Sequence, residues 1–193
     1  MSPQPSNRGA LLEGALRCLE RLPPERITAR EIAAESGANL ASIAYHFGSK
    51  DQLVTEAVIE GLDRWLAEIE RCMGEISGGR PAERLRRAFE VMEATRRERT
   101  GLARAFLTAL AKAQHDPELG STLAAGFAKT RPALAELLGL GDDQSGEDAG
   151  GLLLAMFDGL LFQALLDQTL AIEGERMQAA LGRLRGALPN ERR

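Results

Sequence analysis

The stretch SGANLASIAYHFGSKDQL, residues 36–53, is long enough for a turn and one short helix, yet its middle holds no acidic or basic side chain. It closes on Tyr45, His46, Phe47, Gly48, Ser49 and Lys50, a run dense in hydrogen-bonding groups. Three readings compete: a core helix, a catalytic site built on the histidine, and a surface that reads a partner. Ile43 and Phe47 fall at i, i+4 and give a helix over 40–47 one apolar edge. Asn39, Leu40, Ser42, Ala44 and Tyr45 lie off that edge. Asn39 is placed to cap the helix and Gly48 to end it.

The flanks supply its partners. In ITAREIAAESG, residues 27–37, Thr28 and Glu31 have capping-box spacing, with Ile27 and Ile32 set for a hydrophobic staple and Gly37 for the turn. Two short helices joined by a glycine-containing turn make a helix-turn-helix. Before them, Leu12, Ala15, Leu16, Leu19 and Leu22 mark a helix over 7–22, stopped by Pro23 and Pro24. After them, Ser49 caps a long helix from about Lys50, with Leu53, Val54, Ala57, Val58, Leu62, Trp65, Leu66 and Ile69 on its stripe.

Composition sets the class. Hydrophobic residues at 44% suffice for a core, and Ala, Leu, Glu and Arg dominate while aromatics reach only 4%. Strong helix formers without strand formers predict an all-α protein. Beyond a break at SGGRP (77–81), helices are expected over 82–99, 101–115, 117–138 with a bend at Pro132, 149–170 and 173–188. GLGDDQSGEDAGG, residues 139–151, reads as a flexible loop, and the two ends as loose tails. The domains expected are 1–48, a three-helix head with the helix-turn-helix, and 49–193, a larger helical domain.

Other classes find little support. A net charge of −4 gives no overall basic field, although a nucleic-acid face requires only local positive charge. Cys18 and Cys72 lack the spacing of a disulfide framework or zinc site and read as buried thiols. No GxSxG, HExxH or Walker A motif is present, so neither an enzyme nor a metal or other cofactor is expected. Asp158 and Gln163 interrupt the apolar run over 149–166, which favours a buried helix over a membrane span. MSPQPSNRGALLEG has no signal-peptide pattern, so a cytoplasmic protein is expected. The arginines at 84, 86, 87, 96, 97 and 99 alternate with glutamates and read as a solvated helix face.

ITAREIAAESGANLASIAYHFGSKDQL resembles the DNA-binding head of the TetR family of bacterial transcriptional regulators. The likeness covers roughly residues 10–58: the T-x-x-x-I-A-x-x-S-G helix, a recognition helix ending in Y-H-F, then a K-x-x-L start to the linking helix. It implies a ligand-responsive regulator, most often a repressor, that binds double-stranded DNA at a palindromic operator. Asn39, Leu40, Ala41, Ser42 and Ala44 would then meet base edges, with Tyr45, His46 and Lys50 on the phosphate backbone and Thr28 and Arg30 anchoring the other side of the groove. Many members carry a second aromatic where this chain has Ala44 and a glycine where it has Ala41.

The resemblance also implies a homodimer through the last two helices, about 149–188. Gly150, Gly151, Ala155 and Gly159 would allow close approach, and Leu152, Leu160, Leu181 and Leu184 would give apolar contact. Trp65, Phe89, Met92, Phe106, Met156 and Phe162 would line a pocket for a small-molecule effector, although core packing explains such residues equally well. A helical adaptor that uses the head to bind protein is the alternative, and it would lack salt-dependent affinity for DNA.

Overall fold

The computed structural model describes residues 7–74 and 79–187. The loose tails expected at 1–6 and 189–193, Leu188, and Ser77 and Gly78 of the SGGRP break lie outside them. Among the described residues the chain is all α: α1 (Asn7–Arg21), α2 (Ala29–Ser36), α3 (Ala41–Phe47), α4 (Lys50–Gly74), α5 (Pro81–Arg96), α6 (Thr100–Ala113), α7 (Pro117–Leu138), α8 (Gln144–Leu166) and α9 (Gly174–Ala187). Single 3₁₀ turns sit at Pro24–Arg26, Arg97–Arg99 and Gln168–Leu170.

Two compact units form. The first takes the residues up to Glu68 together with Glu98–Ala128. Its apolar stripes are buried as the periodicity requires: Leu11, Ala15, Cys18 and Leu19 on α1, Ile32 on α2, Ile43 and Phe47 on α3, and Leu53, Ala57 and Val58 on α4. α6 joins this unit by seating its first turn on α1, where the Glu20 carboxylate accepts a hydrogen bond from the Gly101 N–H. Arg99, just before α6, donates to Glu68 of α4 at 2.7 Å. These two bonds tie α1, α4 and α6 together.

The second unit takes Ile69–Arg97 and the chain from Lys129 onward. Met73, Ala88 and Leu138 form a buried cluster, with Leu85, Leu153 and Phe157 packed on it. The Phe157 ring meets Phe89 edge-on, centroids 4.8 Å apart, a favoured aromatic geometry. Half of the arginine run, Arg86, Arg87 and Arg97, is the solvated face expected, Arg86 and Arg87 both pairing with Glu90, while Arg84 and Arg99 are half-buried. Arg96 is the correction: only 6% exposed, it donates to Glu173 Oε1 at 2.6 Å and Gln168 Oε1 at 3.0 Å. Those partners lie more than 70 residues downstream, so no local pattern reveals the burial.

The segment over 139–151 is also corrected. Helix α8 begins at Gln144, because Asp143 caps it by accepting from the Gly146 N–H at 2.9 Å. Gly150 then packs on α7, where a Cβ would stand 2.3 Å from the Arg131 carbonyl oxygen. Close helix approach, not loop flexibility, explains that glycine. α8 ends at Leu166 rather than at 170, since Asp167 turns the chain into the 3₁₀ segment and accepts from the Thr169 N–H at 2.8 Å.

Nor is α8 buried in the single chain: Leu152 is 75% and Leu166 85% exposed. By length and composition it is the one helix among the described residues able to cross a membrane. Its Asp158 has a pKa pushed up to about 6 by burial. An unfolded Asp ionises near 4, so the folded chain holds the extra proton between about pH 4 and 6, and stability falls as pH rises through that window. Asp158→Asn is expected to raise stability at pH 7.5 by roughly 1–2 kcal/mol, discounted for residual solvent exposure. The gain should shrink toward zero by pH 4, as denaturant titrations at the two pH values would measure. An equal gain at both would assign it to another cause.

Candidate nucleic-acid interface

The helix-turn-helix is built by its caps. Thr28 Oγ1 accepts from the Glu31 N–H at 3.2 Å, and Glu31 Oε2 accepts from the Thr28 N–H at 2.7 Å. The bond from the Thr28 N–H holds the Glu31 carboxyl below its usual range. The Thr28 hydroxyl also bonds the Glu31 carboxylate and adds to that lowering. Gly37 closes α2 with φ of 69°, the left-handed conformation that favours glycine.

α3 starts one residue later than expected, at Ala41. Asn39 still caps it: Oδ1 accepts from the Ala41 N–H at 2.9 Å, and its backbone carbonyl from the Ser42 N–H at 2.9 Å. One lone pair of Oδ1 is thereby engaged, while the second and both amide N–H donors stay available.

Ile43 and Phe47 point α3 into the core, so its other side faces out. Leu40 is 44% and Tyr45 84% exposed, with Asn39, Ala41 and Ala44 exposed beside them. Ser42, His46 and Lys50 are half-buried, and Thr28 and Arg30 are exposed. The His46 ring stands edge-on to Tyr45, centroids 4.8 Å apart. Ser49 Oγ caps α4 by accepting from the Gln52 N–H at 3.1 Å. Lys50 Nζ lies 2.7 Å from Asp51 Oδ1, and this bond holds the Asp51 carboxyl below its usual range.

Charge at this face is local. Residues 7–58 carry six Arg or Lys against seven Asp or Glu, so attraction to a polyanion depends on which cations remain available. Arg17 and Arg21 converge on Glu35, and Arg8 pairs with Glu56 while lying 5.1 Å over the Phe47 ring. Arg26 and Arg30 have no such partner among the described residues and flank the start of α2. Sequence reading singled out Arg30 but missed Arg26, whose signal is its place in the Pro24–Arg26 turn just before the capping box.

This arrangement matches known proteins in both parts of the chain. Residues 11–57 match the model for bacterial regulatory proteins of the tetR family, and residues 81–187 match that for the C-terminal part of BetI-type transcriptional repressors. The chain belongs to the TetR family of bacterial transcriptional regulators. Among solved structures it is similar to the multidrug binding protein EbrR complexed with imidazole, at 26% identity over 94% of this chain and 90% of that one, with a TM-score of 0.68. A TetR transcription regulator from Haloarcula marismortui ATCC 43049 aligns at 22% identity, covering 90% and 94% of the two chains, TM-score 0.67. A Saccharomonospora viridis protein in complex with choline aligns at 24%, covering 83% and 85%, TM-score 0.60. No curated protein matches.

TetR regulators bind DNA and dimerise, and that bears on the bare face of α8. Leu152, Ala155, Gly159, Gln163 and Leu166 recur at helical spacing along one line of it. Among the described residues, and apart from its own helix turn, nothing lies within 4 Å of a Cβ built on Gly159. Leu184 of α9 is also largely exposed. Gly150 and Gly151 serve instead the packing on Arg131 of α7.

The six residues expected around an effector divide between the units. Trp65 and Phe106 are buried in the first, Phe106 against Phe127 with ring centroids 6.1 Å apart. Phe89 and Met92 of the second line a cavity of about 280 Å³. Met156 and Phe162, half-buried on α8, are not among the residues lining it.

Proposed function

We infer that this TetR-family chain is a ligand-responsive cytoplasmic repressor that binds a palindromic operator as a homodimer and is released by a small organic effector. The outward face of α3 carries the reading. Asn39, Leu40, Ala41, Ser42, Ala44 and Tyr45 offer donors and small apolar groups, without the carboxylates that would repel phosphate. Asn39 and Ser42 contact base edges, Leu40, Ala41 and Ala44 meet thymine methyls, and Thr28, Arg30, Tyr45, His46 and Lys50 bond the backbone. The exposed line on α8, with Leu184, supports a two-fold contact with a second copy, which sets two heads about 34–36 Å or a multiple apart. The imidazole held by EbrR and the choline held by the Saccharomonospora viridis protein support a small organic effector. Effector and operator then oppose each other through one coupling free energy.

A mobility-shift titration with the DNA flanking its own gene tests the reading. A shift at low salt that fades steeply as salt rises is expected; no shift with any palindromic upstream sequence sinks it. Within that assay Lys50→Ala is expected to weaken all sequences alike by about tenfold and to reduce the salt slope by about one. Its Asp51 pair is exposed and offers little resistance to exchange for phosphate. Asn39→Ala is expected to change the ranking of operator variants by about fivefold at one position. A uniform loss would assign Asn39 to the cap alone.

A further inference from the structure

Within the first unit, α6 runs back along α4 toward the start of that helix. Two contacts fix its direction and level. Arg99, just before α6, donates to Glu68 at 2.7 Å. The Leu102 methyl groups lie over Gly61, where a Cβ would stand 2.7 Å from Leu102 Cδ1. As the chain advances from 99 to 102, its neighbour on α4 retreats from 68 to 61, so the two helices are antiparallel. Ten residues beyond Leu102 is Lys112, in the last turn of α6, and ten residues before Gly61 is Asp51, in the first turn of α4. Each step covers about 15 Å at 1.5 Å per residue, which brings Lys112 level with the Lys50–Asp51 pair. Lys50 precedes Gly61 by eleven residues, about three helical turns, and so shares the face of α4 that Leu102 covers.

The charges at this level do not balance in pairs. Lys50 Nζ lies 2.7 Å from Asp51 Oδ1, with Lys50 29% and Asp51 65% exposed. Lys112 is exposed, and its ammonium group makes no hydrogen bond or ion pair among the described residues. Its charge still reaches Asp51: after the bond and attraction from Lys50, Lys112 adds to what holds that carboxyl below its usual range. If Lys50 turns to a phosphate, Asp51 is left as a bare carboxylate beside a polyanion, and the repulsion opposes binding. A second cation within reach of Asp51 removes that penalty.

We propose that Lys112 of α6 is a positioning residue for DNA binding, which takes over the Asp51 carboxylate when Lys50 leaves it for a phosphate. Lys112 itself makes no contact with DNA; it keeps the start of α4 neutral while Lys50 is engaged. This places a determinant of operator affinity outside the helix-turn-helix, on a helix that reaches α4 only through the tertiary fold. A cation in the last turn of α6 also suits the dipole of that helix, but that role alone would leave Asp51 untouched.

The step at Lys50 rests on the operator reading above; the approach of Lys112 to Asp51 does not. Two measurements on the full chain separate them. Without DNA, carboxyl-carbon NMR should show Asp51 titrating at higher pH in Lys112→Met than in the native chain, with Lys112→Arg restoring the native titration. An unmoved Asp51 overturns the proposal whatever the DNA result. In a mobility shift at about 0.15 M salt, where charges farther apart than about 8 Å are largely screened, Lys112→Met should weaken operator binding about threefold. Lys112→Arg should restore it. In an Asp51→Asn background the same Lys112→Met change should cost less than about 1.5-fold, because no carboxylate is left to hold. An equal loss in both backgrounds makes Lys112 a direct phosphate contact and overturns the proposal, as does no loss in either. Lys112 is exposed, so an unchanged melting profile serves as the folding control. If the native chain shifts no operator, the operator reading falls and the role in DNA binding falls with it, while a moved Asp51 titration still upholds the contact between α6 and α4.

Discussion

Leu166→Glu is expected to convert the protein to monomers and to lower its affinity for a palindromic operator by about a hundredfold or more. Leu166 and Leu152 lie at the two ends of the bare line on α8, about 21 Å apart at 1.5 Å per residue, with Ala155 and Gly159 between them. Small residues between large apolar ones allow two helices to approach closely. A glutamate there must be desolvated without a partner, and two-fold symmetry sets its own copy nearby. The single chain does not depend on Leu166, which is 85% exposed, so the melting profile of the isolated monomer should hardly change. The loss on DNA follows because each head alone gives up the gain from joint binding. Sedimentation and mobility shift check both parts. A dimer that survives Leu166→Glu and Leu152→Glu together moves the interface elsewhere.

Gly101→Ala is the second large effect, and it acts on the fold. A Cβ at Gly101 would stand 2.1 Å from the Leu19 carbonyl oxygen and 2.7 Å from the Glu20 Cα, both backbone atoms of α1 that cannot turn aside. To admit it, α6 must lift off α1, which breaks the bond from the Gly101 N–H to Glu20. A cost of about 2–4 kcal/mol is expected, or a fall in Tm of roughly 5–15 °C for a chain of this size. Gly126 in α7 is the contrast: among the described residues, and apart from its own helix turn, nothing lies within 4 Å of its Cβ position. Gly126→Ala should be neutral or stabilise by up to about 1 kcal/mol through helix propensity. Equal melting temperatures for the two variants would show that α6 is not seated on α1 as described.

The head was legible in the sequence because its signals are local. The Thr28–Glu31 box, Gly37 at its turn and the Ile43–Phe47 edge each span five residues or fewer, and all appear in the fold, the box with both its bonds and the edge buried. Asn39 shows the limit of such reading. Its cap was foreseen, but the orientation of its amide, with Oδ1 on the Ala41 N–H, required the folded turn. Arg96 was read as one of a solvated run because charge alternation reports a helix face, not what that face meets. The apolar composition over 149–166 likewise gave a helix but misjudged its surroundings. Hydropathy counts apolar side chains and cannot tell a core from a face left for another copy.

Sequence by itself determined that this chain is helical, that its N-terminal part is a helix-turn-helix of the TetR kind, and which side of α3 faces outward. Those follow from periodicity and from caps whose partners are three or four residues away. Tertiary structure alone decided that α6 locks onto α1 and that Arg96 is buried on Glu173. Each depends on groups about 80 residues apart in the chain. Their proximity is set by the packing of whole helices, and no local pattern carries it.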